Sequence, residues 1–120
     1  MSASLRVDAA AEQRLRSEAA GRALVIDFFA ARCCTGVVAG DLMTRWADEP
    51  GADAVEIGAV AGTRLLADRR LVEVLAEGAS LVESGPFFAR SIGVRLARPE
   101  CWIDFLDSPA ARRRRRVPAG

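Results

Sequence analysis

The chain has 120 residues, about one ordinary domain and too few for two. Its apolar fraction of 51% argues against a disordered protein, and no apolar run approaches the ~20 residues of a membrane helix, so a globular protein without a membrane partner is expected. All 17 basic residues are arginine, five of them consecutive at 112–116; the other 12 face 16 acids, so the body carries about −4 and the tail +5.

In chain order, the first segment leads into charged helical sequence without the apolar core of a signal peptide, so a cytoplasmic protein with reduced thiols is expected. Asp8 is placed to cap a helix in which Ala11, Leu15 and Ala19 share one face and Gly21 is the stop. The apolar run 24–29 predicts a strand covered on both faces, with Leu24, Ile26 and Phe28 on one side and Val25, Asp27 and Phe29 on the other. A Cys33-Cys34-Thr35-Gly36 corner follows, then a strand over 37–46 with Gly40 as a bulge, and a loop at 48–53. Short strands are expected over 55–60 and 63–67 around Gly62.

Asp68 caps a short helix expected over 69–77, where Leu71, Val74 and Leu75 form an apolar stripe and Gly78 ends it. The remainder reads as strands over 79–83, 92–97 and 101–106. This order predicts an α+β fold: one small domain over 1–111 with a mixed or antiparallel β-sheet, an N-terminal helix and one short helix, followed by a disordered Arg-rich tail over 112–120. The tail alone does not make a nucleic-acid-binding protein, because no basic stripe or interleaved aromatic residues accompany it in the body. Trp46, Trp102, Phe28, Phe29, Phe87, Phe88 and Phe105 are read instead as core. Asp27 is expected to pair with arginine or to face solvent, the alternative being a buried carboxylate of raised pKa that relays protons near the thiol corner, and Asp41 and Asp104 are expected to lie on the solvent side of strands.

The chain contains no histidine, lysine, tyrosine or asparagine, so an imidazole base or ligand and a Schiff-base lysine are excluded and sulfur is the expected carrier of chemistry. Cys33, Cys34 and Cys101 are the candidate site. An odd number of cysteines suits a disulfide framework poorly, and thiolates are soft ligands for Fe–S, zinc or copper. Arg32 beside the pair would also favour a reactive thiolate, which supports a thiol-redox or sulfur-transfer role for Cys33 and Cys34 as an alternative. Burial as small apolar residues is the third reading, most applicable to Cys101 beside Trp102.

Cys34-Thr35-Gly36 followed by a strand resembles the Cys-Ser-Gly element of the HesB-like, A-type iron–sulfur carrier superfamily. Gly62-Thr63-Arg64-Leu65-Leu66-Ala67-Asp68, with Leu75 and Gly78 beyond it, is similar to that superfamily's glycine-strand-aspartate-helix segment. The resemblance implies a HesB-like fold, iron or a [2Fe-2S] cluster as cofactor, a homodimer, and a client apo-protein as partner. It makes Cys34 the counterpart of the superfamily's first ligand. The superfamily's C-terminal Cys-x-Cys pair is missing here; Cys33 and Cys101 stand in no matched position, and the vicinal pair looks like a side branch carrying Cys-Cys or Cys-selenocysteine. A fully thiolate-bound [2Fe-2S] cluster takes four cysteines, more than one chain owns, so two protomers would share it. The expected function is therefore metal or cluster binding as carrier, scaffold or accessory protein rather than catalysis. Thiol-redox chemistry and a partner-binding domain without chemistry of its own are the alternatives.

Overall fold

A computed structural model of the chain describes residues 5–32, 38–49, 51–109 and 111. Among them the order is β1 (Leu5–Val7), α1 (Ala9–Glu18), β2 (Ala23–Arg32), β3 (Val38–Ala47), β4 (Ala54–Val60), β5 (Thr63–Asp68), a 3₁₀ turn (Arg69–Leu71), α2 (Val72–Ala76), β6 (Ala79–Ser84), β7 (Ser91–Leu96) and α3 (Pro99–Leu106). The strands form two mixed sheets, one ordered β1-β6-β7 and the other β3-β2-β5-β4. The pairs β1/β6 and β2/β5 are parallel and the others antiparallel. The α+β class expected from the element order is what folds.

Local chemistry explains most of these elements. The Asp8 carboxylate accepts from the Ala11 N–H at 2.7 Å and starts α1, which buries Ala11 and Leu15; the chain then turns through Ala20 and Gly21, both at positive φ. β2 is the spine of the larger sheet. Its Leu24, Ile26 and Phe28 enter the main core with Leu15, Leu65, Leu75 and Leu81, while Val25 and Ala23 join Ala47 and Leu66 in a smaller cluster on the opposite face. This two-sided burial is why the run is almost wholly apolar.

Three expectations need correction. Residues 101–106 belong to helix α3, not to a strand: Pro99 opens it at the first helical position, and Trp102, Phe105 and Leu106 fall at i, i+3, i+4 on one face. Gly40 is not a bulge, because β2 and β3 pair without interruption from Ala23↔Ala47 to Arg32↔Val38. It is a point of close approach, where a Cβ would strike the Phe29 carbonyl oxygen and lie 3.0 Å from Leu106 Cδ2. The bulge lies in β4, where Glu56 pairs with Leu66 and Gly58 with Leu65, leaving Ile57 as the extra residue. Finally, Phe87 and Phe88 are 83% and 79% exposed at the β6–β7 turn and Phe29 is 54% exposed, so these three are not core.

Electrostatics ties α1 to the smaller sheet. The Glu83 carboxylate accepts from Arg90 Nη1 at 2.8 Å and Arg14 Nε at 2.7 Å, and these two bonds, that of Arg90 first, hold its pKa below the ordinary carboxylate value. A depressed folded-state pKa adds stability above the unfolded value and loses it as pH falls through the folded one. Glu83→Gln is therefore expected to melt below wild type at neutral pH, with the gap closing in acid below about pH 4.3, checked by thermal melts across the acid range. Gly40→Ala is expected to lower stability by about 1–3 kcal/mol, seen as a reduced denaturant midpoint with unchanged slope.

Candidate functional site

β2 pairs with β5 only at Leu24, Val25 and Ile26 but with β3 as far as Arg32. Residues 27–32 and 38–43 therefore continue past β5 as a two-stranded ribbon, and six residues of strand carry it about 20 Å. Cys33 and Cys34 lie in the segment joining its strands, outside the described residues, and so does the expected corner at Thr35-Gly36.

Helix α3 is packed on this ribbon. Trp102 Nε1 donates to the Gly40 carbonyl at 3.3 Å, and Phe28 meets the rings of Phe105 and Trp102 edge-on, with centroids 5.0 and 6.2 Å away. Trp102 and Phe105 stack on each other with centroids 5.3 Å apart. Cys101, a half-buried free thiol in the first turn of α3, is thus carried on a helix docked to the ribbon whose far end leads to Cys33 and Cys34.

The thiol lines a groove of about 500 Å³ between α2 and α3. Val74 and Phe105 form its floor, and Glu73, Glu77 and Asp104 lie along its sides. At one end Arg98 bridges the two helices, bonding Glu77 at 2.8 Å and Glu100 at 3.1 Å. Its pKa is raised by Glu100 first and then by the charge that Cys101 carries when ionised. At the other end Arg70 lies over the Phe28 ring at 5.7 Å, with Nε and Nη2 each 2.8 Å from the two oxygens of Asp68. Asp68 also accepts from the Arg70 N–H at 2.9 Å, so one buried carboxylate caps the 3₁₀ turn and holds the guanidinium. That pairing raises the Arg70 pKa.

Among the described residues no group of three or more Cys, Asp or Glu is placed to hold a metal ion. A smaller polar cavity of about 160 Å³ gathers Asp27, Arg45, Asp53 and Asp68 on the opposite face of the sheet. There Asp27 approaches Arg45 at 3.7 Å and accepts from the Phe28 N–H at 2.8 Å, the arginine pairing expected for it. Asp41 is exposed on a strand as expected, whereas Asp104 is exposed on a helix. The Asp68–Arg70 clasp and the Arg98 bridge were missed in the sequence; Asp68-Arg69-Arg70 held the signal for the first, while the second joins residues 21 positions apart. No protein-family model matches the chain, and no curated protein matches it.

Asp68→Ala removes the cap and leaves the mostly buried Arg70 without its buried counter-charge. It is expected to destabilise by about 2–4 kcal/mol, whereas Asp53→Ala, an exposed partner of the same arginine, is expected to cost under about 1 kcal/mol in denaturant titrations.

Proposed function

We propose that this chain is a HesB-like iron–sulfur or metal-binding protein acting as carrier, scaffold or accessory factor through cysteine thiolates, with Cys34 as the principal ligand. The observation that carries the reading is the docking of the Cys101 helix onto the ribbon that leads to Cys33 and Cys34, through Trp102 and Gly40. Added to it is the order of elements, in which the Cys-Thr-Gly segment follows the spine strand and the Gly62-to-Asp68 segment forms a strand running into a short helix. With three cysteines per chain, a [2Fe-2S] cluster needs thiolates from two protomers, so the loaded form is a homodimer that hands its cargo to a client apo-protein. Zinc or copper would suit the same sulfur ligands.

Thiol-redox or sulfur-transfer chemistry at Cys33 and Cys34 is the second reading, favoured by the missing Cys-x-Cys pair. Anaerobic reconstitution with iron and sulfide separates the two. Visible charge-transfer absorption is expected for wild type. Cys34→Ser should weaken it most, since its loss removes two thiolates from a shared dimer site, and Cys33→Ser should weaken it less. A chain that binds no iron, zinc or copper, yet is alkylated well below the ordinary thiol pKa of about 8.5, would replace this function with the redox one.

A further inference from the structure

The β6–β7 hairpin ends in an aromatic tip turned away from the core. Phe87 and Phe88 are 83% and 79% exposed, and their rings meet edge-on with centroids 5.8 Å apart. The turn that carries them is tightly built. The Ala89 N–H donates to the Pro86 carbonyl at 2.9 Å, and Gly85 takes a φ of +98° at which a Cβ would lie 2.7 Å from the Ala89 carbonyl oxygen. Two rings ordered in water in advance make interface anchors, because little conformational freedom is left to lose when a partner covers them.

The other end of the same hairpin carries the complement. β6 and β7 pair from Ser84↔Ser91 at the tip to Ala79↔Leu96 at the base, about 17 Å of strand, and the Ala97 N–H donates to the Gly78 carbonyl at 2.9 Å just below. α2 leads into that base and α3 follows from it, so the groove of about 500 Å³ between them lies at the end remote from the tip. Val74 and Phe105 give it an apolar floor, and its volume suits an aromatic guest. Its rim is acidic. Arg70 is committed to Asp68, and Arg98 to Glu77 and Glu100, while Glu73 and Asp104 have no ion pair among the described residues. Residues 85–90 of the tip contain no acid and end on the exposed Arg90, so the charges of tip and groove are opposite.

We propose that the Phe87–Phe88 tip of one chain inserts into the groove between α2 and α3 of a second copy, with its rings on Val74 and Phe105 and Arg90 against the acidic rim. Tip and groove lie at opposite ends of one hairpin. Two copies set antiparallel about a two-fold axis across its middle therefore make the contact twice, and the assembly closes at two. No metal enters the contact, so it stands or falls separately from the proposed cluster binding.

The test is sedimentation velocity on the full-length chain over a concentration series, with chelator and reductant present so that neither metal nor disulfides join the copies. Wild type should pass from monomer to dimer as concentration rises. Phe87→Ser with Phe88→Ser changes only exposed side chains and should weaken the dimer about tenfold or more, as should Glu73→Arg with Asp104→Arg on the rim. Mixing the two variants is decisive, because one keeps an intact groove and the other an intact tip: the mixture should associate through a single contact where each variant alone stays monomeric. Wild type that is monomeric throughout would overturn the proposal, as would a dimer indifferent to the tip substitutions or a mixture no more associated than its components. A second measurement needs no variant. The amides of Glu73, Val74 and Asp104 should shift together with those of Phe87 and Phe88 as wild type is concentrated, and shifts confined to one of these two sites would also overturn it.

Discussion

The ring of Phe28 is the contact on which the rest of this structure depends. It lies on the spine strand where the four-stranded sheet ends and the ribbon begins, and three separate elements close on it. Phe105 and Trp102 approach it edge-on from α3, and the Arg70 guanidinium covers it from the 3₁₀ turn. Edge-to-face pairs add about 0.5–1.5 kcal/mol each beyond the area they bury, and a partly desolvated guanidinium on a ring adds about 1 kcal/mol. Because Arg70 is also clasped by Asp68 at the end of β5, the ring links the two strands that pair in parallel at the centre of the sheet to the helices that flank the groove. The thiol-bearing helix, the ribbon and the groove share this one anchor.

The use of arginine as the only cation follows the same geometry. A guanidinium can engage a carboxylate through two nitrogens or bridge two carboxylates on different elements. Arg70 does the first with Asp68, and Arg98 does the second with Glu77 on the turn after α2 and Glu100 on α3. Arg14 links Glu18 on its own helix to Glu83 on β6. A lysine has three donors but on one compact nitrogen, so it lacks the planar fork that Arg70 sets against both oxygens of Asp68 and would reach two carboxylates only by drawing them together.

Local signals carried much of the fold into the sequence. Asp8 and Asp68 name their helix starts because their side chains cap the following turn, and the run through Leu24 and Phe28 reveals a two-sided strand because nothing polar but Asp27 interrupts it. What stayed hidden depends on contacts between distant segments. Cys101 to Leu106 is short and apolar, a composition that suits strand or helix, and Pro99 at the first helical position is the local signal that favours the helix. Gly40 matters through the Phe29 carbonyl on the paired strand and through Leu106, which lies 66 residues later. β1 has three residues and exists because β6 is there to pair with it. Phe87 and Phe88 were read as core from hydrophobicity alone, which cannot show that a turn with Gly85 at positive φ lifts them away. Of the candidate site, the presence of thiols was legible; the company of Cys101, drawn from α2 and Arg98, was not.

The ribbon divides β2 into two mechanical regimes. Amides near Leu24 to Ile26 are flanked by strands on both sides and buried on both faces, so they open only when the whole domain opens. Beyond Asp27 the strand has β3 alone, and an isolated two-stranded ribbon is marginally stable in water. Here α3 acts as a splint as far as Gly40, which faces Ala30, and the last rungs, Ala31↔Ala39 and Arg32↔Val38, lie past that bond. Opening free energy therefore falls stepwise along one strand, from the global value at Ile26 towards zero at Arg32. The end that leads to the cysteine pair can change its local shape without drawing on the stability of the core that supports it.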